Sequence, residues 1–294
     1  MKNQSLSSDE RERKFNENLV CEYLKHGSVD EALRVNQYSF PISYAGYQRV
    51  LDRWEIVKAA GPNSKLNETL GFLTHFAEKN ISLETLYRKM PPSFRTSVAT
   101  LYRVLSYIKE GITRRVGIGL VFSHCNDEKK ILIGEDISTP RIELGKLYGS
   151  LSIPSGFSRK RDPREIAILR VLQQEVFADC AVKKSMPDII PAHPKPFMFL
   201  DVADVRIEVF HISLSKKFST PKHFSSFKLR NFKFVPVEKI VSGRKSKQNY
   251  RVGAKATVLG YQKYLELKKR RVVTNPLVYK SELNYQLANI PIEV

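Results

Sequence analysis

Gly156, Asp162, Arg170, Gln174 and Glu175 are the residues of this chain whose types and spacing bear most directly on chemistry. Five residues separate Gly156 from Asp162 and seven separate Asp162 from Arg170, after which the run continues Val171-Leu-Gln-Gln-Glu175-Val-Phe177-Ala178. A carboxylate such as Glu175 can hold a divalent ion, whereas Gln174 offers a carbonyl oxygen without charge. Asp162 and Glu165 fall where a helix begins, and carboxylates there complement the helix dipole. Between the glycine and the arginine lies a basic stretch, Ser158-Arg159-Lys160-Arg161 followed by Arg164. Such a loop suits the phosphates of a nucleotide or of DNA.

The frame resembles the Nudix box: glycine, five residues, glutamate, seven residues, then Arg-Glu-aliphatic-x-Glu-Glu-x-Gly-aliphatic. The resemblance spans about 112–271 and implies an α/β/α sandwich with a mixed sheet, in which box-helix carboxylates hold Mg²⁺ against a substrate pyrophosphate. Mapped onto this sequence, Arg170 keeps the arginine, Val171 and Gln174 replace the first two metal-binding glutamates, and Glu175 keeps the third. Phe177 stands where glycine is usual, and Ser155 replaces the first of the paired glycines. One core carboxylate of three remains. The expected metal set therefore shrinks to Glu175, with Gln174 and Asp162 as supplements. The resemblance implies a catalytically degenerate domain that requires no cofactor and senses a nucleotide or other phosphate ligand, or adds binding surface, through Gly156, Arg159, Lys160, Arg161 and Arg164. The alternative is a Mg²⁺-dependent hydrolase of a nucleoside diphosphate-linked substrate in which Glu175 and Arg170 are catalytic.

The elements that position the box follow from periodicity. Arg115–Phe122 and Lys130–Gly134 read as a hairpin about the turn at Cys125–Glu128. A strand near 149–154 delivers the chain to the box. Phe197–Leu200 and Val205–Ile212 alternate as strands about Asp201–Asp204, acids that read as turn residues. Lys228–Pro236 gives another strand, Val237–Val241 a short helix, and Gly253–Arg271 a closing helix. The tail 272–294 carries no recognisable chemistry.

Ahead of the box the pattern is helical. A mobile tail is expected over 1–13, then one unit over 14–61 and a second over 66–111. Phe15, Leu19, Tyr23 and Leu24 recur at helical spacing before Gly27. Ser28-Val-Asp-Glu31 reads as a capping box, and Ser43 caps a third helix carrying Tyr47, Val50, Leu51 and Trp54. The pattern recurs 54 residues on, pairing Ser28 with Ser82, Ser43 with Ser97 and Arg49-Val-Leu51 with Arg103-Val-Leu105. This internal repeat resembles tandem helix-turn-helix units. On that reading Gln48, Arg49 and Arg53 in one unit, and Arg95, Thr96 and Arg103 in the other, face DNA. The alternative is a pair of small bundles for protein contacts.

Charge bears on partners. The net charge is +19, which favours polyanions. Residues 1–111 carry 16 Lys and Arg against 13 Asp and Glu, while 112–294 carry 33 against 17; the excess thus lies with the box. Lys216, Lys217, Lys222, Lys228, Arg230, Lys233 and Arg244–Lys247, interleaved with Phe224, Phe227 and Phe232, extend it. No run reaches the roughly 18 to 20 apolar residues of a membrane span, and the start lacks a signal-peptide core. The expectation is a cytoplasmic DNA-binding regulator. Cys21, Cys125 and Cys180 are too scattered for a disulfide framework or a zinc site. The sequence leaves the oligomeric state open.

Overall fold

A computed structural model of the chain describes residues 7–59, 81–90, 96–138, 148–242, 249–272 and 275–292. The first unit comprises α1 (Ser8–His26), α2 (Val29–Val35) and α3 (Tyr44–Arg53). The tail expected up to residue 13 is helical from Ser8, because Ser7 and Glu10 cap each other's backbone amides. At Ser28 one half of the anticipated reciprocal cap forms: Ser28 Oγ accepts from the Glu31 amide, while the Glu31 carboxylate turns outward to Arg34. Leu19, Val20, Tyr23, Leu24, Ala32, Leu33, Tyr47, Val50 and Leu51 close the core of this unit. The Tyr47 hydroxyl donates to the Leu19 carbonyl at 2.5 Å, tying α3 to α1.

In the second unit α4 (Leu83–Lys89) and α5 (Val98–Glu110) are described, capped by Ser82 and Ser97, the counterparts of Ser28 and Ser43. The helix expected around Leu70–Phe76 lies outside the described residues, as do Arg95 and most of the proline turn. The segment beyond residue 272 is more than a tail. Leu277–Lys280 forms β8, and Glu282–Ala288 forms α10, whose Leu287, with Ile290 beyond it, joins the core of α4 and α5.

The remaining half is a mixed sheet between helices. Among the described residues its strands are β1 (Arg115–His124), β2 (Asp127–Asp136), β3 (Leu151–Ser152), β4 (Ser155–Ser158), β5 (Met198–Val202), β6 (Val205–Ser213), β7 (Leu229–Pro236) and β8. The main order is β3-β2-β1-β6-β5-β8, with β4 on β1 and β7 on β2. β1 runs parallel to β6, and β5 parallel to β8; the other pairs are antiparallel. Side chains alternate across a strand, so Ile118, Leu120 and Phe122 of β1 face α6 (Arg164–Glu175), which contributes Ala167, Ile168, Val171 and Leu172. Val121 faces the opposite layer, α8 (Val237–Val241) and α9 (Ala254–Lys269), through Val237, Ile240, Val258 and Tyr261. This is the α/β/α sandwich that the box implied.

The first helical unit is fused to this sandwich. α7 (Ala178–Val182) follows α6 directly and buries Ala178 and Ala181 in the core of α1–α3. Among the described residues no helix is long and apolar enough to cross a membrane.

Candidate ligand site at the box helix

The chain enters α6 through β4, paired with β1 from Val116↔Ser158 to Gly119↔Ser155. Gly156 permits the close passage of β4 beneath the helix: a Cβ there would sit 3.3 Å from Val171 Cγ2. Asp162 does not cap α6, as its position suggested. Pro163 is the N-cap and has no side-chain cap bond, while Asp162 accepts from the Arg159 amide at 3.1 Å and from Arg170 Nη2 at 2.5 Å. Burial raises the Asp162 pKa, but the Arg170 and Arg159 hydrogen bonds outweigh it and hold the carboxyl below its usual range.

Arg170 is 3% exposed, Glu175 6% and Gln174 8%. Arg170 Nε donates to the Lys58 carbonyl at 2.8 Å, so the box arginine also grips the segment after α3. Gln173 completes that grip, accepting from the Val57 amide at 2.9 Å and donating to the Glu55 carbonyl at 2.9 Å. Two donors are left over: Arg170 Nη1 and Gln174 Nε2 are buried without a hydrogen-bond partner among the described residues. Unpaired buried donors cost stability, and both residues line a cavity of about 800 Å³, a size that suits a small-molecule ligand.

Among the described residues, four Lys and Arg side chains line this cavity, each held by a carboxylate. Lys228 Nζ lies 3.2 Å from Glu175 Oε1, Arg251 Nη1 3.6 Å from Asp136, Arg115 Nη2 2.5 Å from Asp204, and Arg170 pairs with Asp162 as above. Apolar walls come from Phe157, Leu200, Val202, Val205, Ile207 and Leu283, and His26, Gly27, Ser28 and Ala59 of the first unit complete the rim. Gly253 opens α9 at the cavity edge with φ +83°, a conformation natural to glycine.

The residues present do not fit the Mg²⁺ that the box implies. Glu175 is paired with Lys228 and Asp162 with Arg170, Gln174 brings no charge, and Val171 is 1% exposed within the apolar layer beneath the helix. Among the described residues no three His, Cys, Asp or Glu side chains gather as a metal cluster.

Other anticipated residues fall elsewhere. Gly156 lines the cavity, but the lining does not include Arg159, Lys160, Arg161 or Arg164. The first three are exposed, and Arg164 pairs with Glu208 at 2.9 Å. On the first unit Arg49 is exposed, Arg53 meets Glu12 at 3.5 Å, and Gln48 is half-buried with Oε1 lacking a partner among the described residues. Arg103 is exposed and Thr96 half-buried. Lys228 and Arg251 at the cavity had no local motif in the sequence. Their role depends on β7 and the approach to α9 coming together beside α6.

No family model and no curated protein matches this sequence. Over about half its length the chain is similar to solved structures of Nudix proteins. A MutT protein from Methanosarcina mazei Go1 is 8% identical, with TM-score 0.35, over 54% of this chain and 97% of its own. An ADP-ribose pyrophosphatase from Streptococcus suis 89-1591 is 12% identical, with TM-score 0.35, over 57% and 99%. The Nudix domain of Shewanella oneidensis NrtR, in a complex with ADP ribose, is 10% identical, with TM-score 0.35, over 63% and 99%.

Proposed function

We propose that this chain is a DNA-binding regulator whose Nudix-like half binds a nucleotide or nucleoside diphosphate-linked ligand without hydrolysing it. The observation that carries the reading is the Lys228–Glu175 pair at 3.2 Å: the one box carboxylate kept from the family pattern is engaged by a lysine on the wall of a ligand-sized cavity. The same cavity is rimmed by His26, Gly27, Ser28 and Ala59, so a bound ligand touches the unit whose helix α3 is read as contacting DNA. Support for DNA binding comes from Arg49 and Arg103, exposed on α3 and α5, and from the basic excess of 112–294, which adds surface for phosphates.

Fluorescence anisotropy with a random-sequence duplex tests the DNA half. Binding should weaken at least about tenfold between about 50 and about 200 mM salt, because neutralised phosphates release counterions. An absence of binding, or binding indifferent to salt, rejects it. A phosphate-release screen with Mg²⁺ over nucleoside diphosphate-linked compounds tests the other half. Turnover by the wild type that vanishes in Glu175→Gln establishes the hydrolase alternative instead.

A further inference from the structure

The cavity beside α6 contains the parts of an anion site in an arrangement that dispenses with a metal. Arg170 Nη1 and Gln174 Nε2 are donors on side chains more than nine-tenths buried, and neither has a partner among the described residues. Lys228 is less buried, its side chain 32% exposed, and one direction of its ammonium is taken by Glu175. An ammonium has three donors. The remaining directions are available to a ligand at the mouth of the same cavity. The guanidinium is fixed by Asp162 and by the Lys58 carbonyl, and the ammonium by Glu175, so the donors are oriented before any ligand arrives. Preorganised, charge-assisted donors of this kind favour phosphate oxygens.

We propose that Arg170, Gln174 and Lys228 form a phosphate subsite that binds the ligand's phosphoryl oxygens without a divalent ion, the Lys228 ammonium donating in the directions that its tether Glu175 leaves open. The glutamine at 174 and the lysine at 228 then form one arrangement. A glutamine at 174 contributes a donor where a carboxylate would repel the anion, and a lysine occupies the remaining carboxylate. The apolar wall of Phe157, Leu200 and Ile207 accommodates the uncharged remainder of a larger ligand. The proposal rests on the non-hydrolytic reading of the cavity and is independent of DNA binding.

Calorimetric titration of the full chain with inorganic pyrophosphate, in EDTA and again in Mg²⁺, tests it. Binding is expected in EDTA. Lys228→Met should weaken it by about tenfold or more, the scale of one lost charged hydrogen bond, and Lys228→Arg should retain it. Because Lys228→Met leaves Glu175 buried without its partner, Gln174→Glu serves as a second probe. It puts a carboxylate where the proposal needs a donor, so affinity in EDTA should fall by a similar factor. Binding that requires Mg²⁺, binding in EDTA unaffected by Gln174→Glu, or no binding in either buffer overturns the proposal. Failure of the DNA assay alone leaves it standing, whereas Glu175-dependent turnover with Mg²⁺ removes the reading on which it rests.

Discussion

At the scale of single residues, His211 makes the clearest statement about pH. It lies within hydrogen-bonding distance of Ser123 Oγ at 2.9 Å and Tyr261 Oη at 3.1 Å. Burial, reinforced by the nearby Lys268 charge, lowers its pKa from 6.5 to about 4, against a small opposing pull from Glu128. The unfolded chain therefore takes up this proton at a higher pH than the folded chain. The contribution is fully present above about pH 6.5 and is lost as pH falls towards about 4, a loss on the order of 2–3 kcal/mol. Melting temperature against pH should show this slope, and His211→Gln should flatten it; an unchanged slope would falsify the assignment. Asp162 follows at lower pH. Its carboxyl is held below the usual range, so the stability it contributes is present at neutral pH and fades only as pH falls through that lowered value.

At the scale of elements, α6 combines a retained frame with altered chemistry. Its apolar positions Ala167, Ile168, Val171 and Leu172 face the sheet, and Arg170, Gln173, Gln174 and Glu175 are buried by what lies on the other sides. Position 171 does not accommodate a carboxylate. It is 1% exposed, and its Cγ2 lies close to the space above Gly156. Val171→Glu would bury a charge without a partner and should destabilise the protein by several kcal/mol, roughly the cost of an unpaired buried ion. Chemical denaturation measures this, and a variant as stable as the wild type would show that position 171 reaches solvent. The apolar periodicity and the box spacing made α6, β1, β6 and β7 readable in advance. Capping chemistry was less readable. Glu31 chose Arg34 over its backbone partner, and Asp162 chose Arg170 over the helix amides, because a cationic side chain within reach competes with the cap.

At the scale of the molecule, the helical unit and the sandwich are continuous. Trp54 Nε1 donates to the Val182 carbonyl at 3.0 Å and Lys184 Nζ lies 4.5 Å above the Trp54 ring, while residues 55–58 are held by Gln173 and Arg170. Arg170 therefore touches both the cavity beside α6 and the strap that follows α3. A phosphate engaging its free Nη1 should steady the strap. Hydrogen exchange at the Val57 and Ala59 amides, bonded to Gln173 and to the Tyr23 hydroxyl, should slow when pyrophosphate saturates the protein. Unchanged exchange at saturation would separate the cavity from the helical unit.

The sequence by itself determined the alternation of helices and strands, the repeated serine caps, the presence of Val171 and Gln174 where the box pattern it resembles has carboxylates, and the basic excess of the second half. These are local properties: periodicity, capping preference and residue identity at a fixed spacing. Tertiary structure alone decided that Lys228 from the approach to β7 meets Glu175, that Arg251 faces Asp136, and that the segment after α3 straps the box helix. It also decided that residues beyond 272 complete both the sheet edge and the second bundle. Each of these joins positions far apart in the chain, where spacing carries no information and burial must be satisfied by whichever partner the fold brings within reach.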